Sequence, residues 1–319
     1  MKLALFNEYR PGLVIEDKSI VDVSQAAGDE VMKLRPHERM PEIIAQFDRL
    51  RPAFEQAAKS GGVPLSSVHL RAPLPRPGKI LCAIGNFYEG TKTPIRPLAL
   101  FLKSPTAVLD PGGTVELPRQ QANVFHHEAE LAVVIGRRAK NVSSADAMNH
   151  VFGFTCFMDI SARGLGDNVG FIGKSFDTFA PHGPWIVTRD EIPNPGQLQI
   201  RMWNDDQPRH NYNTSDMEHA PADLVAYGSS ISTLEPGDII SCGTNHQQIG
   251  PIQDGETVTI EIDRIGRFSV KIHDEQKRKW PKEIDRAMAD FTRNRRSDPT
   301  LPIPAILRPR EGSATAAHR

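Results

Sequence analysis

The sequence has little cysteine, no excess of charge and no long apolar run. Its 319 residues include three cysteines, and 38 basic side chains are balanced by 39 acidic ones. Because these charges cancel, composition favours neither a nucleic-acid partner nor a membrane surface. No apolar stretch approaches the ~18 residues of a membrane span. The short apolar patch at the start is followed at once by charge, so we expect neither a secretory leader nor a membrane anchor.

The cysteines are too few and too scattered for a disulfide framework or a zinc site. Cys82, Cys156 and Cys242 lie far apart, in apolar or strand-like contexts. Such thiols are typical of the core of a protein in a reducing compartment. We therefore predict a cytoplasmic protein with reduced core thiols.

Short apolar runs separated by Gly, Pro, Asn and Asp predict a mainly β chain of the α+β class. A proline-rich segment, "RAPLPRPGK", is the best candidate for a domain boundary. We predict a small N-terminal domain with its linker over residues 1–77 and a catalytic domain over 78–273. A charged extension, partly helical or disordered, is predicted over 274–319.

Helical patterns are few. Apolar spacing predicts a helix within 40–60, which Pro52 should kink or split. Shorter helices are predicted at 143–149 and 221–229, and one amphipathic helix within 281–296 with Pro281 in its first turn.

Two carboxylates open an otherwise apolar run in "NVFHHEAELAVVIG" (123–136). Side chains at i and i+2 of a strand share a face, so Glu128 and Glu130 should converge on one side. Like charges at such a position are costly unless a cation compensates them. The alternative interpretation, a solvated strand end, stays open for this pair alone.

A third carboxylate, Asp159, ends the apolar run "VFGFTCFMD". An aspartate at the end of a buried run is unusual unless it is paired or ligating. Three carboxylates without a cysteine or histidine ligand pattern favour a hard cation, so Mg²⁺ or Mn²⁺ is the predicted cofactor. The residues alone leave the metal site and the solvated strand end both open.

Two other segments carry polar residues of interest. Lys174 in "GKSFDTFAPHGPWIVT" is either a surface lysine on a turn or a cation that stabilises an enolate beside the metal. The polar loop of "LEPGDIISCGTNHQQIG", with Thr244 and His246, suits hydrogen bonding to a polar ligand.

Six motifs in series resemble the catalytic domain of the fumarylacetoacetate hydrolase superfamily. In order they are "HEAELAVVIG", "FMDISARG", "GKSFDTFAPHGPWIVT", "NTSDM", "LEPGDIISCGT" and "IEIDRIGRFSV". The resemblance covers about residues 78–273. It implies a fold of rolled mixed β-sheets with a small N-terminal domain, a homodimer, and an acylpyruvate hydrolase-like activity in catabolism.

The resemblance also implies roles for particular residues. Glu128, Glu130 and Asp159 match the Mg²⁺ or Mn²⁺ ligands of the family, and Lys174 matches its lysine. Arg163, Thr244 and Asn86 match positions associated with the substrate or kept beside it.

One family feature is missing from its expected place. Many members carry Asn-Tyr-x-x-His-x-x-Glu, whose histidine and glutamate activate a water, but here the stretch reads "NFYEGTKT". Gly90 stands at the histidine position and Thr93 at the glutamate position. The candidates for the base are therefore Glu89 and His246, and less so His126 or His127. The segment after Ser-Ala-Arg reads "GLGDN" and lacks the usual glutamine.

Three functions follow from this set of residues. The first is metal-dependent hydrolysis of a carbon–carbon bond in a β-diketo or other 2-oxo acid. The second uses enolate stabilisation alone, as in a decarboxylase, keto–enol isomerase or dehydratase of a 2-oxo acid. The third is a non-catalytic metal-binding relative. The first two imply a small 2-oxo acid as the substrate, and its exact identity stays open.

Overall fold

A computed structural model of the chain describes residues 1–91, 95–165 and 171–309. Thr93 therefore lies outside the described residues, as do positions 166–168 of "GLGDN" and the tail from residue 310.

The chain alternates short strands with short helices, and the strands dominate. The strands are β1 (Lys2–Phe6), β2 (Arg10–Ile15), β3 (Ser19–Asp22), β4 (Val63–Pro64), β5 (Leu70–Arg71), β6 (Ile80–Ala83), β7 (Leu100–Lys103), β8 (Val108–Leu109), β9 (Thr114–Glu116), β10 (Val124–His126), β11 (Ala129–Ile135), β12 (Val151–Met158), β13 (Ser161–Arg163), β14 (Ala180–Thr188), β15 (Gln199–Asn204), β16 (Gln207–Asn213), β17 (Ile239–Ser241), β18 (Thr257–Ile262) and β19 (Gly266–His273). The helices are α1 (Ser24–Ala27), α2 (Asp29–Lys33), α3 (Pro36–Ala45), α4 (Phe47–Ala57), α5 (Ser144–Ala147), α6 (Phe171–Lys174), α7 (Pro221–Ile231) and α8 (Arg286–Asn294).

Most strands belong to one large mixed sheet. Its order is β4-β3-β2-β1-β14-β12-β11-β17-β6-β7, with β5 beside β1 and β8 beside β14. Most neighbours are antiparallel, but β17 runs parallel to β6 and β8 runs parallel to β14. A second sheet has the order β16-β15-β18-β19-β9, and β10 pairs with β13 separately. The prediction of a mainly β chain with mixed sheets is confirmed.

The two larger sheets pack against each other, and this packing explains their sequences. Strands β11, β12 and β14 of the large sheet contact β15, β18 and β19 of the second. Every residue of β11 and β12 is buried, which accounts for the nearly continuous apolar runs "LAVVI" and "VFGFTCFM". Strand β15 of the second sheet instead alternates between buried and half-buried residues. The most apolar strands are thus the ones that lead to the carboxylates.

The N-terminal strands extend the same large sheet. Strand β1 pairs with β14 through Lys2 opposite Val187 and Leu3 opposite Ile186. Residues 1–77 are therefore hydrogen-bonded to the sheet of the 78–273 region. The division into domains at residue 77 stays a prediction.

The helices lie close to their predicted places. The helical region before residue 60 divides at Gln46, between α3 and α4, whereas Pro52 lies inside α4. Helix α5 is capped by the side chain of Ser143, as its sequence predicts. In α8 the first turn is not at Pro281, because Asp285 caps the helix by accepting a hydrogen bond from the Met288 N–H.

The three cysteines are free and buried, as predicted. Within the part of the chain that the structure describes, every helix is too short or too polar for a transmembrane segment.

We expect Phe154→Ala to destabilise the protein strongly. Phe154 is fully buried on β12, between partners on β11 and β14, so its removal leaves a cavity that the sheet cannot close. The free energy of unfolding should fall by about 3–5 kcal/mol, measured by urea denaturation. The control is Phe171→Ala, which removes a ring that is 66% exposed and should change stability by about 0.5 kcal/mol or less. Equal effects of the two changes would contradict the packing described above.

Candidate active site

The three predicted carboxylates lie close together, at the start of β11 and the adjacent end of β12. Glu128 immediately precedes β11, Glu130 lies on it, and Asp159 immediately follows β12. The antiparallel register places Ala129 opposite Met158, so the start of β11 lies beside the end of β12. The Asp159 N–H donates to the Glu128 carbonyl at 3.0 Å and closes this end of the pair.

The geometry of the three carboxylates fits a small divalent cation. One oxygen from each lies within 4.8 Å of the others, and all three side chains are buried. Opposite ligands of an octahedral Mg²⁺ lie about 4.2 Å apart, so one ion is within reach of all three oxygens. The donors are oxygen atoms only, which are the ligands that Mg²⁺ and Mn²⁺ prefer. The three carboxylates therefore have the donor atoms and spacing that a hard divalent cation requires.

Three basic side chains compensate the carboxylates. The Lys174 ammonium donates to Glu128 Oε2 and to Asp159 Oδ2, both at 2.7 Å. The Arg163 guanidinium donates to Glu128 Oε1, and the buried Lys103 ammonium donates to Asp159 Oδ1. Buried charges are tolerated when they are paired in this way. Lys174 is thus a buried partner of two carboxylates, and the interpretation as a surface lysine is wrong.

Mutual pairing favours the ionised forms of Lys174 and Glu128. Burial alone would lower the pKa of Lys174, but the charges of Asp159 and Glu128 outweigh it and raise that pKa. Burial would likewise raise the pKa of Glu128, but the charges of Lys174 and Arg163 hold it well below its usual range.

Glu130 has a different environment from Glu128. Its carboxylate accepts hydrogen bonds from the Ser241 hydroxyl and from the Gly243 N–H, the latter at 2.9 Å. Burial, together with the charges of Asp159 and Glu128, raises the pKa of Glu130 to about 8. Without a bound cation, Glu130 is therefore protonated at neutral pH.

Glu89 and His246, which are 157 positions apart in the chain, form a buried pair. The Nδ1 of His246 lies 2.7 Å from Glu89 Oε1, and the His246 main-chain N–H donates to Glu89 Oε2 at 2.8 Å. Burial would raise the pKa of Glu89, but the charge and hydrogen bonds of His246 outweigh it and lower that pKa. An ionised Glu89 keeps the proton on Nδ1 and leaves Nε2 as the basic nitrogen. No residue in the described ranges hydrogen-bonds this Nε2.

The backbone around Glu89 is held in an uncommon conformation. Glu89 has a φ of 57° and Gly90 a φ of 73°, both in the left-handed region. Such a conformation costs energy for a residue with a Cβ and needs support from its surroundings. Part of that support comes from α8, whose Arg293 donates to the Glu89 carbonyl at 3.3 Å.

The other candidate bases, His126 and His127, are hydrogen-bonded to groups outside the carboxylate cluster. His126 Nε2 lies 3.0 Å from Asp285 Oδ2, and its Nδ1 accepts from Arg163. Burial lowers the pKa of His126 to about 4, so the ring is neutral and bridges these two groups. His127 is fully buried and contacts His210 at 3.1 Å.

The predicted substrate-binding residues divide into two groups. Arg163 and Thr244 line the cavity that contains the carboxylates. The Thr244 hydroxyl lies 3.2 Å from the Tyr212 hydroxyl. Asn86 does not line this cavity: its amide donates to the carbonyls of His219 and Cys242, both at 3.0 Å, and accepts the His219 N–H. Its side chain therefore fixes the loop before Glu89 instead of facing a ligand.

A single cavity of about 680 Å³ joins these groups. Its inner wall carries Glu128, Glu130, Asp159, Lys174 and His246, whereas Glu89 lies behind His246. Glu89 is therefore a positioning residue for the histidine. A volume of this size suits a small organic ligand.

Two parts of the site are absent from the sequence prediction. Lys103 ends the apolar run "LALFLK" as Asp159 ends its own run, so the same signal points to both residues. The outer wall of the cavity comes from α8 and residues 303–309, whose charged sequence suggests only an extension.

Comparisons with known proteins identify relatives of this chain. Residues 85–273 match the family model described as fumarylacetoacetate (FAA) hydrolase C-terminal. The maleylpyruvate hydrolase of Aquipseudomonas alcaligenes is 34% identical over 85% of this chain and 99% of its own length. An oxaloacetate tautomerase of Bacillus subtilis is also 34% identical, over 84% of this chain and 97% of its own length.

A solved structure shares the fold over most of the chain. It is the maleylpyruvate hydrolase of Sphingobium sp. SYK-6 in complex with manganese(II) and pyruvate. The two chains are 35% identical and superpose with a TM-score of 0.78 over 86% of this chain and 99% of that one.

We expect metal binding to release a proton from Glu130. In the metal-free protein this carboxyl keeps its proton up to about pH 8, whereas an unfolded glutamate ionises near pH ~4.3. The protonated carboxyl therefore contributes to the stability of the folded protein at low pH. This contribution is lost as the pH rises from ~4.3 to about 8. A cation bound below about pH 8 must displace the proton.

Titration calorimetry with Mn²⁺ in buffers of different ionisation enthalpy measures this release. It should find about one proton per ion near pH ~6.5 and almost none near pH ~9.5. In the Glu130→Gln control, Mn²⁺ should bind far more weakly and release no proton. Heats that are independent of the buffer at the lower pH would contradict the assignment.

Proposed function

Because the chain belongs to the fumarylacetoacetate hydrolase family, we propose that it is a metal-dependent hydrolase of a carbon–carbon bond in an acylpyruvate-like 2-oxo acid. The observation that carries this proposal is the His246–Glu89 pair on the wall of the carboxylate cavity. Hydrolysis needs a base that activates water beside the site of enolate stabilisation, and this pair provides one. We assign Glu128, Glu130 and Asp159 as ligands of Mg²⁺ or Mn²⁺.

The cation, when bound, supplies positive charge to the carboxylate and 2-oxo oxygens of the substrate and makes an enolate a tolerable leaving group. The Lys174 ammonium, buried beside Glu128 and Asp159, adds charge stabilisation as the enolate forms. Arg163 and Thr244 line the cavity nearby and are the proposed contacts to the substrate carboxylate.

The reaction that these residues support has three steps. His246 Nε2 removes a proton from water, whose oxygen bonds to the distal carbonyl carbon of the diketo acid. The tetrahedral intermediate then breaks the bond between that carbon and the methylene carbon. The bonding pair goes to the pyruvyl enolate, and the acyl fragment leaves as a carboxylic acid. Protonation of the methylene carbon by the His246 imidazolium yields pyruvate and restores the base.

A second function, keto–enol tautomerisation of a 2-oxo acid, has one specific observation in its favour. A relative of equal identity is an oxaloacetate tautomerase. The same base can move a proton between the methylene carbon and the solvent without attack by water. This reaction is the keto–enol isomerase alternative, whereas the decarboxylase, dehydratase and non-catalytic alternatives have no comparable support within the cavity. Homodimer formation, a cytoplasmic location and a role in catabolism stay predictions.

Product analysis distinguishes these functions. Mn²⁺-loaded protein is incubated with acetopyruvate and, separately, with the enol form of oxaloacetate, and both reactions are followed by NMR. Acetate and pyruvate from acetopyruvate support hydrolysis. Faster conversion of the enol form to the keto form, without fragmentation of acetopyruvate, supports the tautomerase. Turnover of neither compound would overturn the assignment to this substrate class.

We expect His246→Ala to reduce kcat for hydrolysis by about 10³-fold, because general-base catalysis contributes about 10²–10⁴-fold. Added imidazole should restore part of the activity, which a purely structural role would not allow. Glu89→Gln should lower kcat with little change in KM, since Glu89 acts through His246. Both variants should keep wild-type affinity for Mn²⁺ in calorimetry.

The matched control is His273→Ala, which removes a histidine that is 46% exposed and outside the cavity. This variant should retain full activity. Full activity in both His246→Ala and Glu89→Gln would exclude the pair as the base.

A further inference from the structure

The outer wall of the cavity is formed by the C-terminal part of the chain. From α8, Met288, Phe291, Thr292 and Arg295 line it, and residues 303–309 complete it. We call residues 285–309 the C-terminal strap. The family match ends at residue 273, so the strap lies beyond the part of the chain that carries the family motifs.

Contacts on several sides hold the strap over the cavity. At its start, Asp285 is hydrogen-bonded to His126 at 3.0 Å. In its middle, the Gln247 amide donates to the Ala289 carbonyl at 3.2 Å. At its end, the Asn123 amide donates to the Arg308 carbonyl at 2.8 Å. The strap is therefore a fixed wall of the site in this structure.

The inner wall of the cavity is balanced in charge. With a cation bound, the three carboxylates carry three negative charges, and Lys174, Arg163 and Lys103 carry three positive ones. A divalent cation adds two positive charges, which the carboxylate and enolate oxygens of a 2-oxo acid neutralise. The inner wall therefore has no charge left for a further anionic group.

The strap adds two positive charges that are not balanced in this way. Arg96, the other arginine near the wall, is paired with the buried Glu218. Neither Arg295 nor Arg308 has a carboxylate partner among the residues that the structure describes. The Arg295 guanidinium lies 5.2 Å from the centre of the Phe291 ring, which itself lines the cavity. The Arg308 Nε donates to the Ile303 carbonyl at 2.7 Å, so its two terminal nitrogens stay available.

We propose that Arg295 and Arg308 bind a second carboxylate, at the far end of the substrate from the metal. This inference rests on the proposed function and names its substrate class: a 2-oxo acid whose acyl part also ends in a carboxylate. A guanidinium suits this role, because its donors match the two oxygens of a carboxylate. The strap then sets the selectivity of the enzyme, while the inner wall performs the chemistry.

Matched pairs of non-cleavable 2-oxo acids test the inference by calorimetry with the Mn²⁺-loaded protein. The dicarboxylates are 2-oxoglutarate, 2-oxoadipate and 2-oxopimelate. Their partners of equal carbon number are 2-oxopentanoate, 2-oxohexanoate and 2-oxoheptanoate. Oxalate reports on the metal end alone. We expect at least one dicarboxylate to bind about tenfold more tightly than its partner.

Variants locate the source of this preference. Arg295→Ala and Arg308→Ala should each weaken binding of the preferred dicarboxylate about tenfold, with oxalate and monocarboxylate affinities unchanged. Arg295→Glu should weaken it further. The matched control is Arg286→Ala, which removes the same charge from an exposed position of α8 outside the cavity and should change none of these affinities.

The inference and the proposed function fail in different ways. Binding of every 2-oxo acid without preference for a second carboxylate would overturn the inference and leave the proposed function intact. Equal losses for dicarboxylates and monocarboxylates in the Arg295 and Arg308 variants would also overturn it. Absence of binding for all 2-oxo acids and for oxalate would overturn the proposed function itself.

Discussion

The structure depends on the neutralisation of three carboxylates that are buried at the start of one strand and the end of the next. Glu128, Glu130 and Asp159 lie at the edge of the most apolar part of the sheet, where uncompensated charge would be very costly. Lys174, Arg163 and Lys103 offset that cost, and each of them comes from a different part of the chain. The strands β7 and β13 and the helix α6 are therefore tied to one electrostatic centre. Glu130 is the exception, because its pKa is raised and it is ready to exchange a proton for a cation.

The proposed catalytic pair occupies different positions in the chain from the motif of many family members. The family motif places a histidine and a glutamate three residues apart, yet this chain has glycine at the histidine position. Here the glutamate comes from one loop and the histidine from another, and the two side chains meet through a short hydrogen bond of 2.7 Å. What the chemistry needs is an oriented imidazole beside the substrate, and this requirement concerns spatial positions more than sequence spacing.

Much of the fold and part of the site could be predicted from the sequence. The period-two spacing of Glu128 and Glu130 and the position of Asp159 at the end of an apolar run indicated the carboxylate cluster. Glu89 and His246 were each identified as candidates, but their contact could not be predicted, because sequence periodicity carries no information about loops 157 positions apart. Asn86 was assigned to the substrate, whereas its amide is saturated by main-chain groups. The strap was the largest omission, because a charged amphipathic helix gives no sign of the surface on which it packs.

The strap also separates the shape of the cavity entrance from the charge balance at its inner wall. These two properties usually change together when an enzyme is altered. The carboxylates proposed to hold the cation lie on or beside β11 and β12, whose residues are all buried. The outer wall belongs to the strap, whose main-chain carbonyls accept hydrogen bonds from the Asn123 and Gln247 amides. Sequence changes there can reshape the entrance without disturbing the charge balance beneath it. A library of variants confined to this segment is thus a practical route to new substrates with the same bond-breaking chemistry.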